Sequence, residues 1–80
     1  MSELEQELSE VVMLLVDEPD LVEVEECDFD DGIHYEVRVA NEDLGKVIGR
    51  QGRTVRALRN LLEARAEKDD TRYWIDILED

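Results

Sequence analysis

Residues 47–55 read Val-Ile-Gly-Arg-Gln-Gly-Arg-Thr-Val, and this stretch decides the fold of the chain. It places two glycines, Gly49 and Gly52, three positions apart between two segments with helical patterns. Glycine lets the main chain turn sharply and pass close to a ligand, because it has no Cβ to obstruct the torsions or the contact. The helix that follows points its free N–H groups and positive dipole end at the loop. The stretch therefore predicts an anion-binding turn between two helices.

The residues around this loop make the pattern more specific, since two glycines at this spacing occur in many turns. The loop follows Gly-Lys-Val-Ile at residues 45–48 and leads into Arg-Thr-Val-Arg-Ala-Leu-Arg at residues 53–59. Together these segments resemble the signature of the KH domain, which clamps about four single-stranded nucleotides with its Gly-x-x-Gly loop. Over nearly its whole length, the chain also resembles the KhpA family of small bacterial proteins with a single KH domain.

Hydrophobic periodicity predicts six secondary-structure elements. Ser2 and Glu5 fit a capping box at the start of an amphipathic helix. The predicted bounds are an N-terminal helix over residues 3–17, strands over about 21–28, 33–40 and 72–78, and the Gly-x-x-Gly helix pair over 42–67. The second strand alternates cleanly, whereas Glu26 breaks the alternation of the first.

The order α-β-β-α-α-β is the one associated with type II KH domains. We therefore predict an α+β fold: a single type II KH-like domain spanning residues 1–80, with a three-stranded sheet and helices packed on one face. Eighty residues suffice for one domain and are too few for two.

Charge is distributed unevenly along the chain, whose formal net charge is −14. Residues 1–45 carry a net charge of −15 and residues 66–80 a net charge of −4, whereas residues 46–65 carry +5. Six of the nine basic residues thus lie in the twenty that begin beside the loop, as expected of a local nucleic-acid footprint. The alternative is a salt-bridged helix face, although Glu63 is the only acidic residue within that segment.

The resemblance also implies which residues contact RNA. In KH domains the nucleic acid lies in a cleft between the Gly-x-x-Gly helix pair and the edge of the sheet, with phosphates over the loop. Carried over to this chain, the predicted RNA-binding residues are Lys46, Ile48, Gly49, Arg50, Gln51, Gly52, Arg53 and Arg56. The acidic turn at residues 30–32 is expected on the other side of that cleft, where its carboxylates repel phosphate.

Other kinds of site have little support in the sequence. Cys27 is the only cysteine and His34 the only histidine, so neither an internal disulfide nor a His/Cys metal cluster is expected. Val47 stands where a nucleotide-binding P-loop requires Ser or Thr, and no nucleophile and base occur at recognisable spacing. We predict no catalytic residue, no metal and no cofactor. The longest apolar run, residues 11–16, is too short to span a bilayer, which favours a cytoplasmic location.

Trp74 has the wrong parity to share a sheet face with Tyr73 and Ile75. It is expected on the open face of the sheet, beside His34, Arg38 or Asp76. There it either covers the surface or anchors another protein, as exposed tryptophans often do.

Two functions remain open at this point. The first is a non-enzymatic RNA-binding protein, which the resemblance links to RNA chaperoning or post-transcriptional regulation and to cell elongation and division. The resemblance further implies a homodimer, or a heterodimer with a larger Jag-type KH protein. The alternative is a protein-interaction or dimerisation module of KH fold with little RNA affinity of its own, which the charge of −14 favours.

Overall fold

The computed structural model describes residues 2–79 and confirms the predicted α+β class and element order. Its helices are α1 (Glu3–Leu15), α2 (Leu44–Ile48) and α3 (Arg53–Asp69), and its strands are β1 (Glu23–Phe29), β2 (Gly32–Arg38) and β3 (Tyr73–Ile77). Short 3₁₀ turns occupy Pro19–Leu21, Asn41–Asp43 and Arg50–Gly52. The predicted domain range of 1–80 includes residues 1 and 80, which lie outside the described residues.

The sheet has the strand order β1-β2-β3, so β2 is central and β3 is an edge strand. β1 pairs with β2 in antiparallel fashion, and β2 pairs with β3 in parallel. A parallel pair needs a long crossover connection. Here the crossover is the α2-loop-α3 segment, and this places the Gly-x-x-Gly loop outside the sheet.

Several element ends differ from the predicted bounds. α1 ends at Leu15 because Val16 takes an extended backbone, with φ −109° and ψ 162°, and packs against the core. β1 begins at Glu23 because Pro19–Leu21 forms a 3₁₀ turn. At the other end of the chain, α3 continues to Asp69, where Asp70 in the left-handed region stops it.

The core lies between one face of the sheet and the helices. Val12 of α1, Val37 of β2 and Val47 of α2 are completely buried, and Leu58 and Leu62 of α3 are almost so. All five lie at positions that the helical or strand periodicity assigns to the inner face. Because α3 packs along β3 through the two leucines, its opposite face is left to the charged residues.

Glu26 does not interrupt the alternation of β1. It lies opposite Tyr35 in the ladder, on the inner side of the sheet. Its carboxylate accepts a hydrogen bond from the Tyr35 hydroxyl at 2.9 Å and another from the Ser2 hydroxyl. Ser2 also accepts from the N–H of Glu5 at 3.0 Å and caps α1. Glu26 is therefore an inward-facing acceptor that ties the start of α1 to the sheet.

Candidate nucleic-acid interface

The loop between α2 and α3 has a backbone that requires glycine at one position in particular. Gly49 has φ 79° and ψ 166°, and a Cβ added there would lie 2.7 Å from the Thr54 nitrogen and 2.3 Å from its hydroxyl oxygen. Gly52 is left-handed, with φ 74° and ψ 16°, but a Cβ there would meet only the Arg56 guanidinium, at 3.6 Å. Of the two positions, glycine is thus required at 49 by a close contact as well as by the backbone torsions, and at 52 by the torsions alone.

The residues between the glycines project into solvent. Arg50 and Gln51 are exposed, and Gln51 itself takes a left-handed conformation with φ 57°. The N–H of Gly52 donates to the Gly49 carbonyl at 3.0 Å and closes the turn. α3 starts directly at Arg53, and no side chain caps its first turn. The positive end of the α3 dipole therefore lies at the loop.

Arg56 supports the loop from within α3. Its guanidinium donates to the Gln51 carbonyl oxygen at 2.9 Å. A guanidinium has five N–H donors, so this bond leaves others for a ligand. The structure nevertheless gives Arg56 a bracing contact that its place in the basic helix did not predict.

Lys46 lies in a cluster of ion pairs rather than free beside the loop. Its ammonium is 3.0 Å from the Asp17 carboxylate and 3.5 Å from that of Asp43. The hydrogen bond from Lys46 to Asp17 is the main cause of a raised Lys46 pKa. The cation thus joins α2 to the segment that follows α1.

Asp43 holds this cluster together and was not singled out from the sequence. Its side chain is only 1% exposed, and it accepts a hydrogen bond from the N–H of Glu18 at 3.0 Å. Burial alone would raise the pKa of Asp43, but backbone N–H donors from Asp17 and Glu18 and the Lys46 charge hold that pKa below its ordinary value. A sequence signal would have been the Asp-x-x-Lys spacing at the start of α2.

Three arginines near the loop keep their charge unpaired. Arg50, Arg53 and Arg59 are exposed, and within residues 2–79 none of them forms an ion pair. Arg65, by contrast, pairs with Glu7 at 3.3 Å and with Asp69 at 3.1 Å. The basic segment is therefore divided: its loop end is available to an anion, and its far end is a salt-bridged surface.

The apolar residues near the loop also divide into two groups. Val47 is fully buried and belongs to the core. Ile48 and Val55 are only half-buried, so they retain surface on which a base can rest. Ile48 and Val55, and not Val47, therefore offer exposed apolar surface beside the loop.

A groove runs between α3 and the outer edge of β3, at the place expected for the cleft. Its volume is about 900 Å³, and it begins at Arg59, six residues or about 9 Å along the helix from Arg53. Its charged lining residues are Arg59, Glu63, Glu67, Arg72 and Asp76. The mixed charge there contrasts with the purely cationic loop.

The acidic turn between β1 and β2 does not face the loop. The N–H of Ile33 bonds to the Arg72 carbonyl at 2.9 Å, so the turn lies three residues past the C-terminal end of α3. α3 has 17 residues and is about 25 Å long. Its N-terminal end is thus well beyond a Debye length of about 8 Å from the turn. The length of α3 therefore separates the acidic turn from the loop, and the repulsion of phosphate by its carboxylates across the cleft stays a prediction.

His34 and Cys27 have surroundings that suit neither metal binding nor nucleophilic chemistry. His34 is bonded through Nε2 to Asp31 at 2.9 Å and through Nδ1 to Asp76 at 3.1 Å, and these two carboxylates raise its pKa. Partial burial, followed by Glu36 and Glu25, raises the pKa of the Cys27 thiol, which disfavours the reactive thiolate. In the part of the chain that the structure describes, no three His, Cys, Asp or Glu residues are grouped to hold a metal.

Between residues 2 and 79, no helix is long and apolar enough to cross a membrane.

The α-β-β-α-α-β order, the mixed sheet and the Gly-x-x-Gly turn between α2 and α3 define a KH domain of type II. The sequence profile of the family described as "KhpA/KhpB, KH domain" matches residues 5–77. The chain belongs to this family.

Curated relatives are similar along most of their length. The chain is 46% identical over 69 residues to the RNA-binding protein KhpA of Halalkalibacterium halodurans, covering 86% of this chain and 91% of that protein. It is 40% identical over 73 residues to the protein of the same name from Chlamydia trachomatis, covering 91% and 94%. With the Clostridium acetobutylicum protein it shares 41% identity over 75 residues, which cover 94% of this chain and all of the relative. No solved structure matches the chain.

Proposed function

We propose that this protein is a non-enzymatic RNA-binding protein that grips short single-stranded RNA through the Gly49–Gly52 loop. The observation that carries the proposal is an exposed Arg50 and Gln51 between two positive-φ glycines, at the uncapped start of α3. The relatives' name, RNA-binding protein, agrees with it.

Each residue of the proposed site has a physical role. Gly49 and Gly52 bring the backbone close to a phosphate, which the α3 dipole and the guanidinium groups of Arg50 and Arg53 attract. The Gln51 amide reaches ribose or phosphate oxygens. Ile48, beside Val55, offers apolar surface to a base, Arg56 braces the loop, and Lys46 positions α2.

Because the grip is on backbone oxygens, binding should favour single strands and depend on salt. If Arg50, Arg53 and Arg59 neutralise three phosphates, log affinity should fall against log salt with a slope of about −2. Fluorescence anisotropy with an unstructured oligonucleotide and a hairpin duplex measures both properties. Tighter binding of the duplex than of the single strand, or an affinity that does not change with salt concentration, would contradict the proposal.

Variants of Lys46 and Arg53 distinguish a residue that positions the loop from one that contacts RNA. Lys46→Gln removes the cation from Asp17 and Asp43, so the melting temperature should fall while RNA affinity changes less than about twofold. Arg53→Gln removes an unpaired cation, so affinity should fall about fivefold, the salt slope should flatten by about 0.7, and the melting temperature should hold. Thermal melts and salt titrations of both variants test this. If Lys46→Gln instead lowered RNA affinity and left the melting temperature unchanged, Lys46 would be a residue that contacts RNA.

We also propose that the working unit is a dimer, with itself or with a larger Jag-type KH protein, as the resemblance implies. An apolar groove of about 410 Å³ between α1 and α3 supports this, because Leu61 is 64% exposed there. Two linked loops raise effective concentration along one RNA. Sedimentation at micromolar concentration should give a dimer that Leu61→Glu converts to a monomer. A wild-type monomer at every salt, with full RNA affinity and no copurifying KH protein, would count against it.

A cytoplasmic role as an RNA chaperone or post-transcriptional regulator linked to cell elongation and division completes the proposal. It rests on the resemblance. The competing function, a protein-interaction or dimerisation module with little RNA affinity of its own, predicts instead that the dimer forms while wild type and loop variants alike bind RNA near background. Crosslinking in the host followed by sequencing of attached RNA distinguishes the two.

A further inference from the structure

Within residues 2–79, the sheet has one face that no helix covers. Core residues such as Tyr35 and Ile75 point towards the helices, so the alternate residues of each strand point away from them. By register, this open face carries Glu23, Glu25, Cys27 and Phe29 of β1, His34, Glu36 and Arg38 of β2, and Trp74 and Asp76 of β3.

Aromatic rings cross the open face in a contiguous row. Phe29 meets His34 edge to face at a centroid distance of 4.7 Å, and His34 stacks on Trp74 at 5.8 Å with an interplanar angle of 26°. The indole N–H donates to the Asp31 carbonyl at 3.2 Å and fixes the ring. Even so, Phe29 is 57% and Trp74 41% exposed. Rigid aromatic surface left in water, with tryptophan in it, is typical of an interaction site.

The charge beside this row determines what can bind there. Glu25, Glu36 and Asp76 lie directly opposite one another across the three strands. Like charges in such positions destabilise a sheet. Asp76 is bonded to His34, whereas Glu25 and Glu36 face each other as like charges. Among the described residues that the register places on this face, Arg38 is the one Lys or Arg, against the carboxylates of Glu23, Glu25, Glu36 and Asp76. The face therefore presents an excess of carboxylates next to an exposed indole.

We propose that the open face binds a cationic, arginine-bearing segment of a partner protein. A guanidinium can stack on an indole and at the same time donate two parallel hydrogen bonds to a carboxylate, a combination that an ammonium matches poorly. Trp74 supplies the ring, and Glu36 and Asp76 lie in the next row of the ladder.

Two other occupants fit the charge badly. RNA brings phosphates to a face that is already negative. A second copy placed face to face by two-fold symmetry sets the same carboxylates against each other. A cationic segment instead relieves the repulsion between Glu25 and Glu36. This face lies across the sheet from the helices that carry the loop, and it meets the groove between α3 and β3 at Trp74 and Asp76.

Trp74 is the only tryptophan of the chain, so its fluorescence reports on this face and on the groove between α3 and β3 that it also lines. The intact protein is titrated with a twelve-residue alternating Gly-Arg peptide, the matching Gly-Lys peptide and a single-stranded RNA. The Gly-Arg peptide should shift the Trp74 emission and bind about fivefold more tightly than the Gly-Lys peptide. Equal affinity for the two peptides, or no shift of the Trp74 emission with the Gly-Arg peptide, would overturn the proposal.

A charge-matched pair of variants locates the peptide. Glu25→Gln with Glu36→Gln removes two charges from the open face, and Glu3→Gln with Glu10→Gln removes two from α1. Calorimetry should show about a fivefold loss for the first pair and less than about a twofold loss for the second. Removing opposed like charges does not threaten folding, so the first pair stays interpretable. Equal losses would mean that the peptide responds only to net charge, and the inference would fail.

Discussion

Replacing Arg50 and Gln51 together with Asp should lower RNA affinity at least about tenfold, or about 1.4 kcal/mol, with little change in melting temperature. The change puts two carboxylates where the proposal places phosphate and removes an unpaired guanidinium. Both side chains are exposed, so no core contact is lost. Gln51 already has φ 57°, and aspartate is among the residues that tolerate this region best.

A matched control distinguishes local repulsion from total charge. Gln6→Asp with Lys68→Asp alters the net charge by the same three units, at exposed positions on α1 and near the end of α3. Because Lys68 also lines the groove between α1 and α3, sedimentation is used to check that the control keeps the oligomeric state of the wild type. Lys68 is fifteen residues, or about 22 Å, along α3 from its start. Affinity for an unstructured oligonucleotide should stay close to wild type in this control. A folded loop variant that binds as well as the control would exclude the loop as the grip.

The fold was predictable because its determinants are local. Each of these features has its own signal in the sequence: the apolar stripe for α1, the alternation for β2 and the two glycines for the turn between α2 and α3. Together the signals predict an element order that few folds share. Element ends were less predictable, since Val16 leaves α1 for reasons of tertiary packing. Glu26 breaks the sequence pattern of β1 because its carboxylate faces inward and accepts a hydrogen bond from Tyr35, nine residues further along the chain. The sequence alone does not show that contact.

The candidate site was less predictable than the fold, because a sequence shows where charge lies and not what it is paired with. Lys46 and Arg53 flank the loop symmetrically in the sequence. In the structure, Asp17, 29 positions before Lys46, pairs with the first, while within residues 2–79 the second forms no ion pair. Arg56 likewise looked like another free cation until its bond to the Gln51 carbonyl was seen.

The aromatic row was missed for a related reason. Parity placed Trp74 on the open face beside His34, and the stacking of these two rings confirms that placement. Phe29, however, lies just past the predicted end of the first strand, where the sequence assigns it to no face of the sheet. Only the register of β1 against β2 brings it to the other side of His34 and makes three separate residues one surface.

The two loop glycines look equivalent in the sequence but should respond very differently to alanine. Gly52→Ala places a Cβ in ordinary van der Waals contact with the Arg56 guanidinium, at 3.6 Å, and costs only the left-handed torsion. That cost is about 1 kcal/mol, which is roughly 4–8 °C in melting temperature for a domain of this size. Gly49→Ala meets the backbone nitrogen of Thr54 at 2.7 Å, in a torsional region that is essentially restricted to glycine.

Gly49→Ala should therefore combine torsional strain with overpacking, each worth about 1–3 kcal/mol. The first turn of α3 must shift to accommodate the new methyl group, and the shift moves the N–H groups and Arg53 away from the phosphate. We expect Gly49→Ala to lower both the melting temperature and the RNA affinity well below those of Gly52→Ala, as measured by thermal melts and anisotropy on the two variants side by side. Equal losses of melting temperature and RNA affinity in the two variants would show that Thr54 moves aside at little cost. The close contact at Gly49 would then not be what fixes the loop conformation.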